Sequence, residues 1–247
     1  MFSLKINDVE ISDLVMITNV IRNYTSRVKN NIKTHLTMHG GIYKNTKIEN
    51  REIEVQFIVL GDTRRKADEL CKILYPGKEL NIIFGDQKDR FYIGRIDGIV
   101  KMEKITNSYE RGSFTILCTD PFAYSIATKQ VSLQSNKITF NNAGIFETYP
   151  TFEFTAPSNI RKIALVHPIK GAFIIGEETG DVVIAAGTRV QIDFKKRQVI
   201  LGGNKRLYEH VSSKIFSIEP GTTEIGVLVN AGATIPNVTT KYREVFL

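Results

Sequence analysis

The sequence has no tryptophan, only two cysteines and only four histidines, and each shortage narrows what the chain can do. Sugar-binding modules commonly stack their ligands on broad aromatic faces, so without an indole that role is left to Tyr and Phe alone. Cys71 and Cys118 are 47 positions apart and form no CxxC or Cys/His spacing, so we expect neither a zinc site nor a redox pair, but two buried free thiols. His35 and His39 stand as HLTMH, but the Glu of an HExxH site is missing, and Thr34, Thr37 and Gly40-Gly41 disfavour the helix such a pair needs. His167 and His210 have no sequence partner that marks a triad, and no GxSxG elbow occurs. Gly40-Gly41, Gly85-Asp86 and Gly202-Gly203 lack Walker spacing and a following helix, and the carboxylates Asp86, Asp89, Glu177 and Glu178 fall in turns. The expectation is therefore no catalytic residue, no metal and no cofactor. No apolar run approaches the ~20 residues of a membrane helix, so no membrane anchor is expected. The start, MFSLKINDVEISD, lacks the basic-then-apolar order of a signal peptide, and we expect a soluble chain made in the cytoplasm.

What the sequence does have is ordinary core-forming material and an uneven charge. Its 247 residues, 42% hydrophobic and 24% charged, match a globular average, which excludes disorder, collagen-like repeats and coiled coil. The length favours two modest domains. The net charge is +7, and much of it is local: within 19–51, Arg22, Arg27, Lys29, Lys33, Lys44, Lys47 and Arg51 face Glu49 alone. Such a stripe recruits phosphates or an acidic protein surface, or is simply a solvated loop. Tyr24 and Tyr43 are its only aromatic residues, too few for a sequence-reading nucleic-acid surface.

Periodicity places strands through most of the chain. FSLKINDVEI alternates Phe2, Leu4 and Ile6 against polar residues and turns at Asn7-Asp8, a half-buried hairpin. IEVQFIVL (53–60) sets Ile53, Val55, Phe57 and Val59 on one face, as a central strand does. GDTRRKADELCKILYPG is the one clear helix, with Asp62 as N-cap, Ala67, Leu70, Cys71 and Leu74 on one stripe, and Pro76-Gly77 at its end. On its other face Arg64 with Asp68 and Arg65 with Glu69 are spaced for ion pairs. LNIIFGD, RFYIGRIDGIVKME and GSFTILCTD are further strands. After Asp120-Pro121 the chain turns polar, and a boundary near residue 127 divides it into domains 1–127 and 128–247. The second part has no helix. Its alternating runs, KITFNN, PTFEFTA, RKIALVH, GAFIIGE, RVQIDFKKRQVIL, SKIFSIEPG and TTEIGVLVN, are spaced as in an antiparallel sandwich or barrel. Val190, Ile192 and Phe194 share a face, Lys195-Lys196-Arg197 turns, and Val199 and Leu201 return. The fold class is mainly β, with an α+β N-terminal domain.

The order of hairpin, long loop, IEVQFIVLGD, TRRKADELCKILYP, LNIIFGDQKDRFYIGRIDG and GSFTILCTDPFAY, followed by NNAG, TYPTFEF, RVQIDFKKRQVILGG, SIEPGTTEI and REVFL, resembles the siphovirus-type tail component family, the distal tail proteins of long-tailed phages. That resemblance spans nearly the whole chain. It implies a tail-tube-like split β-barrel with one helix, then a galectin-like β-sandwich. It also implies a structural virion protein, not an enzyme, that forms a hexameric ring hub at the far end of the tail. The ring joins the tail tube protein to the tip or tail-associated protein, DNA only passes through its channel, and the outward sandwich is where receptor-binding parts attach. Within that frame we expect residues 1–10 and loop 19–51 to pack on a neighbour by β-augmentation, with Arg22, Arg27, Lys29, Lys33, Lys44 and Lys47 meeting acidic surface. Asp120, Pro121 and Phe122 are the expected domain junction, where proline stops a strand. The alternative is a carbohydrate-binding module that attaches to a host cell wall.

Overall fold

The computed structural model describes residues 3–37, 39–75, 77, 79–206 and 214–247. Contacts divide the chain into two compact units, 1–126 with Leu247, and 127–246.

In the N-terminal unit the strands are β1 (Leu4–Ile6), β2 (Val9–Glu10), β3 (Met16–Arg22), β4 (Val28–Lys33), β5 (Ile42–Ile48) and β6 (Arg51–Leu60). Helix α1 (Thr63–Leu74) follows, then β7 (Leu80–Phe84), β8 (Arg90–Thr106), β9 (Tyr109–Cys118) and β10 (Ala123–Ser125). The sheet runs in the order β2-β1-β7-β8-β9-β6-β3, with β10 also on β8. Asn7 and Asp8, at φ 47° and 69°, make the tight turn that joins β1 to β2, the backbone form a two-residue hairpin demands and short polar residues tolerate. β6 is central, antiparallel to both β3 and β9, and Ile53, Val55, Phe57 and Val59 are all buried.

The 17-residue β8 is shared among three partners, with Arg90–Tyr92 paired to β10. Tyr92–Gly94 pair with β7, and from Arg95 onward β8 pairs with β9. Its edge beyond Gly94 has no second strand among the described residues, and a bulge between Asp97 and Lys101, with Gly98 at φ 71°, bends that edge. Close packing fixes the β8–β9 pairing from the other side. A Cβ on Gly112 would lie 2.5 Å from the Lys101 carbonyl and 2.6 Å from the Phe57 ring.

Asp62 caps α1, its carboxylate accepting from the Arg65 N–H, and Arg65 reaches Glu69 at 3.0 Å while Arg64 reaches Asp68 at 3.7 Å. The helix buries Thr63, Leu70 and Leu74. Cys71 corrects the sequence expectation: it is exposed, because one residue past Leu70 turns about 100° around the helix, off the stripe centred on 63, 70 and 74. Cys118 is buried as expected. Pro76, Phe2 and His210 lie outside the described residues.

The C-terminal unit has two sheets. One follows the order β11-β20-β13-β16-β17-β18: β11 (Lys129–Ser132), β20 (Thr239–Tyr242), β13 (Thr151–Thr155), β16 (Arg189–Asp193), β17 (Gln198–Leu201) and β18 (Asn204–Arg206). The other follows β12-β19-β14-β15: β12 (Lys137–Asn142), β19 (Gly221–Val229), β14 (Lys162–His167) and β15 (Gly171–Gly176). One core lies between them, and aromatic pairs cross it: Phe140 of β12 meets Phe152 of β13 at 6.3 Å and Tyr242 of β20 at 5.4 Å. Phe194 touches Phe152, Phe173 and Phe216 at 4.9–5.1 Å. The β16–β17 hairpin has the expected register, Val190 with Leu201 and Ile192 with Val199, and Arg197 takes the left-handed turn position at φ 53°. SKIFSIEPG differs from expectation: residues 214–220 form no strand, and Ile218 makes a single bridge to Thr148 while Phe216 and Ile218 fill the core.

Candidate assembly interface

The basic segment is not a long loop. Its first residues belong to β3, and its middle is a two-stranded ribbon, β4 with β5, that forms a sheet of its own. Every β4 residue is exposed, and so is every β5 residue up to Lys47. The Glu49 N–H donates to the Arg27 carbonyl at 2.8 Å, and their side chains lie 3.6 Å apart, closing the root of the ribbon.

The register sorts the side chains into two faces. Val28 opposite Ile48, Asn30 opposite Thr46, and Ile32 opposite Tyr43 make one face, tied by Thr46 Oγ1 to Asn30 at 2.7 Å and by Tyr43 Oη with Thr46 Oγ1 at 2.5 Å. Lys29 opposite Lys47, Asn31 opposite Asn45, and Lys33 opposite Ile42 make the other, with an Asn31–Asn45 hydrogen bond of 2.6 Å. Lys44 is the extra residue of a bulge at Asn31/Ile32. Two ammonium groups directly opposite one another oppose pairing, and an isolated two-stranded hairpin is at best marginally stable in water. The ribbon thus spends apolar surface on solvent, with Val28 53%, Ile32 60% and Tyr43 60% exposed, and holds like charges together. Surface of this composition suits a protein partner.

The structure brings Lys29, Lys33, Lys44 and Lys47 together on the ribbon and Arg27 to its root, but it sends Arg22 elsewhere. Arg22 turns inward from the end of β3, lies 4.6 Å over the Phe84 ring and reaches Asp86 at 2.5 Å. Sequence reasoning counted Arg51 in the charge stripe without giving it a role, yet it is 2% exposed. Its guanidinium donates to the carbonyls of Asn23 and Tyr24 and to Ser26 Oγ, and lies 5.3 Å over Tyr92. The signal was in the strand phase: Arg51 shares parity with Ile53, Val55, Phe57 and Val59, so it belongs to the buried face of β6.

At the end of the N-terminal unit Asp120 organises the turn after β9. Its carboxylate accepts from the Phe122 N–H at 3.4 Å and from the Tyr124 hydroxyl at 2.6 Å, and burial together with that carboxylate raises the tyrosine's pKa well above its usual range. Burial also pushes the Cys118 thiol up to about 11, although Arg51 opposes the shift. His35 and His39 are exposed near the ribbon tip. In the C-terminal unit Lys170 bridges Ser217 Oγ (2.7 Å), Glu219 (3.0 Å) and Glu147 (3.6 Å), and the serine donates onward to Glu147. His167 Nδ1 accepts the N–H groups of Ile169 and Lys170, and burial, then Lys170, holds the imidazole below its usual pKa. These contacts act as structural links, although His167 Nε2 is buried without a hydrogen-bond partner among the described residues.

Two family matches divide the chain much as its contacts do. Residues 4–118 match the phage tail protein RIFT-related domain, and residues 143–246 match the siphovirus-type tail component, C-terminal domain. Together they make the chain a structural component of a phage tail. Among relatives, the distal tail protein of Bacillus phage SPP1 is 24% identical over 220 residues, 82% of this chain and 81% of that protein. The crystal structure of the SPP1 Dit protein, described as a paradigm of the hub adsorption apparatus of phages infecting Gram-positive hosts, superposes with a TM-score of 0.82 at 17% identity over all of both chains. A chain of the phage P2 baseplate in its activated conformation with calcium gives a TM-score of 0.53 at 10% identity, covering 99% of this chain and 98% of that one. The chain belongs to the siphovirus distal tail proteins, and the sequence resemblance is confirmed. As such it is a virion component associated with other tail proteins.

Proposed function

We propose that the chain closes into a homo-hexameric ring at the distal end of the tail, joining the tube above to the tip protein below. Residues 1–127 build the ring and its DNA channel, and residues 128–247 point outward toward receptor-binding parts. Asp120, Pro121 and Phe122 end the ring-forming domain and pass the chain to the second. The one observation that carries this reading is the ribbon of residues 28–48, exposed on both faces, with lysines held opposite each other. A head-to-tail contact gives it a neighbour on which to bury its apolar face, and acidic surface to neutralise Lys29, Lys33, Lys44 and Lys47. The outer edges of β2 and β3, unpaired among the described residues, offer further room for strand addition.

Light scattering on the purified chain tests this. The whole chain is expected to reach six copies, and a variant with residues 28–48 replaced by Asn-Gly is expected to stay monomeric with an unchanged melting curve, since it loses little buried surface. A variant that still forms the hexamer would overturn the role of the ribbon. A whole chain that is monomeric at every concentration and binds cell-wall glycan would instead establish the carbohydrate-binding alternative.

A further inference from the structure

The turn from β14 to β15, residues 168–170, is held by a side chain. His167, 4% exposed at the end of β14, accepts the N–H groups of both Ile169 and Lys170 on Nδ1, each at 3.1 Å. A ring nitrogen that accepts two donors carries no proton, so the neutral imidazole bears its hydrogen on Nε2. That atom is buried without a hydrogen-bond partner among the described residues, and the Phe216 ring lies 5.2 Å from the imidazole. A second proton has only Nδ1 to go to, where it would turn the acceptor into a donor aimed at two N–H groups. The closed turn and the imidazolium exclude each other.

The surroundings reinforce that exclusion. Lys170 opposes a positive charge on the imidazole, and Glu219 offsets it only in part. Glu147 is engaged by Lys170 and Ser217. On the flanking strands, Gly171 of β15 pairs with His167 and has no side chain, and Ile225, one residue along β19 from the Gly226 that pairs with Val166, is apolar. The turn also positions Lys170, whose ammonium ties Ser217 and Glu219 at 2.7 and 3.0 Å. The segment 214–220 forms no strand and has one bridge, Ile218 to Thr148, so no strand ladder can replace that tie. We propose that the β14–β15 turn is an acid-released latch, closed while His167 is neutral and opened when its ring takes a second proton, which withdraws Lys170 from Ser217 and Glu219. This latch lies within the C-terminal unit and does not depend on assembly into a hexamer.

In the open turn the imidazole meets solvent and takes up a proton near its ordinary 6.5, so each pH unit below that value raises the open population about tenfold. Hydrogen exchange of the full chain from about pH 7.5 to about pH 5, read by mass spectrometry with residue-level fragmentation, tests this. Each rate is divided by that of the denatured chain at the same pH. The window lies above the range in which carboxylates ordinarily take up protons. Protection of the Ile169 and Lys170 amides is expected to fall about thirtyfold across it. At every pH both should stay less protected than the amides of β13 and β16, whose exchange requires the sandwich itself to unfold. His167→Asn keeps a side-chain oxygen near the place of Nδ1 but does not titrate, so its protection should change by less than about twofold. The wild-type series decides the matter even if that variant does not fold. Constant protection in the wild type, the same pH dependence in the asparagine variant, or exchange of the turn only together with β13 and β16 would each overturn the proposal.

Discussion

Phe194→Ala tests whether the C-terminal unit is an independent sandwich held by one aromatic centre. Phe194 is 1% exposed and touches three other rings, Phe152 from its own sheet, Phe173 from the facing sheet and Phe216 from the strand-free segment. Truncating a buried phenylalanine costs about 3–5 kcal/mol, and loss of three ring pairs places this site at the upper end, at about 5 kcal/mol. A unit of 120 residues unfolds with an entropy of about 0.25 kcal/mol/K, so its melting temperature should fall by about 20 °C. Phe194→Leu keeps most of the apolar volume and should cost about 1.5 kcal/mol, or about 6 °C. The assay is differential scanning calorimetry of the full chain, in which only the transition of the C-terminal unit should move. A fall of less than about 8 °C for the alanine variant, or an equal shift of both transitions, would refute the idea of a separate core centred on this ring.

Three further outcomes are expected. Lys47→Glu replaces a like-charged pair opposite Lys29 with an attractive one, so amide exchange in the ribbon should slow while association weakens and loses its salt dependence, as light scattering at two ionic strengths would read. His167 is held neutral by burial and by Lys170, so the unfolded chain takes up a proton more readily; stability of the C-terminal unit should therefore be complete above about pH 6.5 and decline below it. His167→Asn should flatten that slope in urea titrations. A thiol-exchange reagent should modify Cys71 rapidly and Cys118 only on unfolding, because one is exposed and the other is both buried and shifted up to about 11.

Much of the fold was legible because burial writes itself into alternation. The phase of Ile53, Val55, Phe57 and Val59 marked β6, and Asn7-Asp8 marked the turn between β1 and β2, since both signals are local. The ribbon was missed as structure because VKNNIK and IYKNTKI bury almost nothing, so no contrast between faces is present in their sequence. It was visible only as charge. Nor could the sequence separate Arg22 from Lys29: the inward turn of Arg22 depends on Phe84 and Asp86, more than sixty residues away and brought near by the sheet. Order of elements, rather than any one motif, carried the family resemblance.

The bent margin of β8 has a consequence for how the chain behaves when many copies are crowded together. A long, straight, vacant strand is a template on which stray peptides accumulate into fibrils. Here the kink at Gly98 breaks the template, and Lys101, Glu103 and Lys104 beyond it penalise flat stacking, so the molecule should remain dispersed at high concentration.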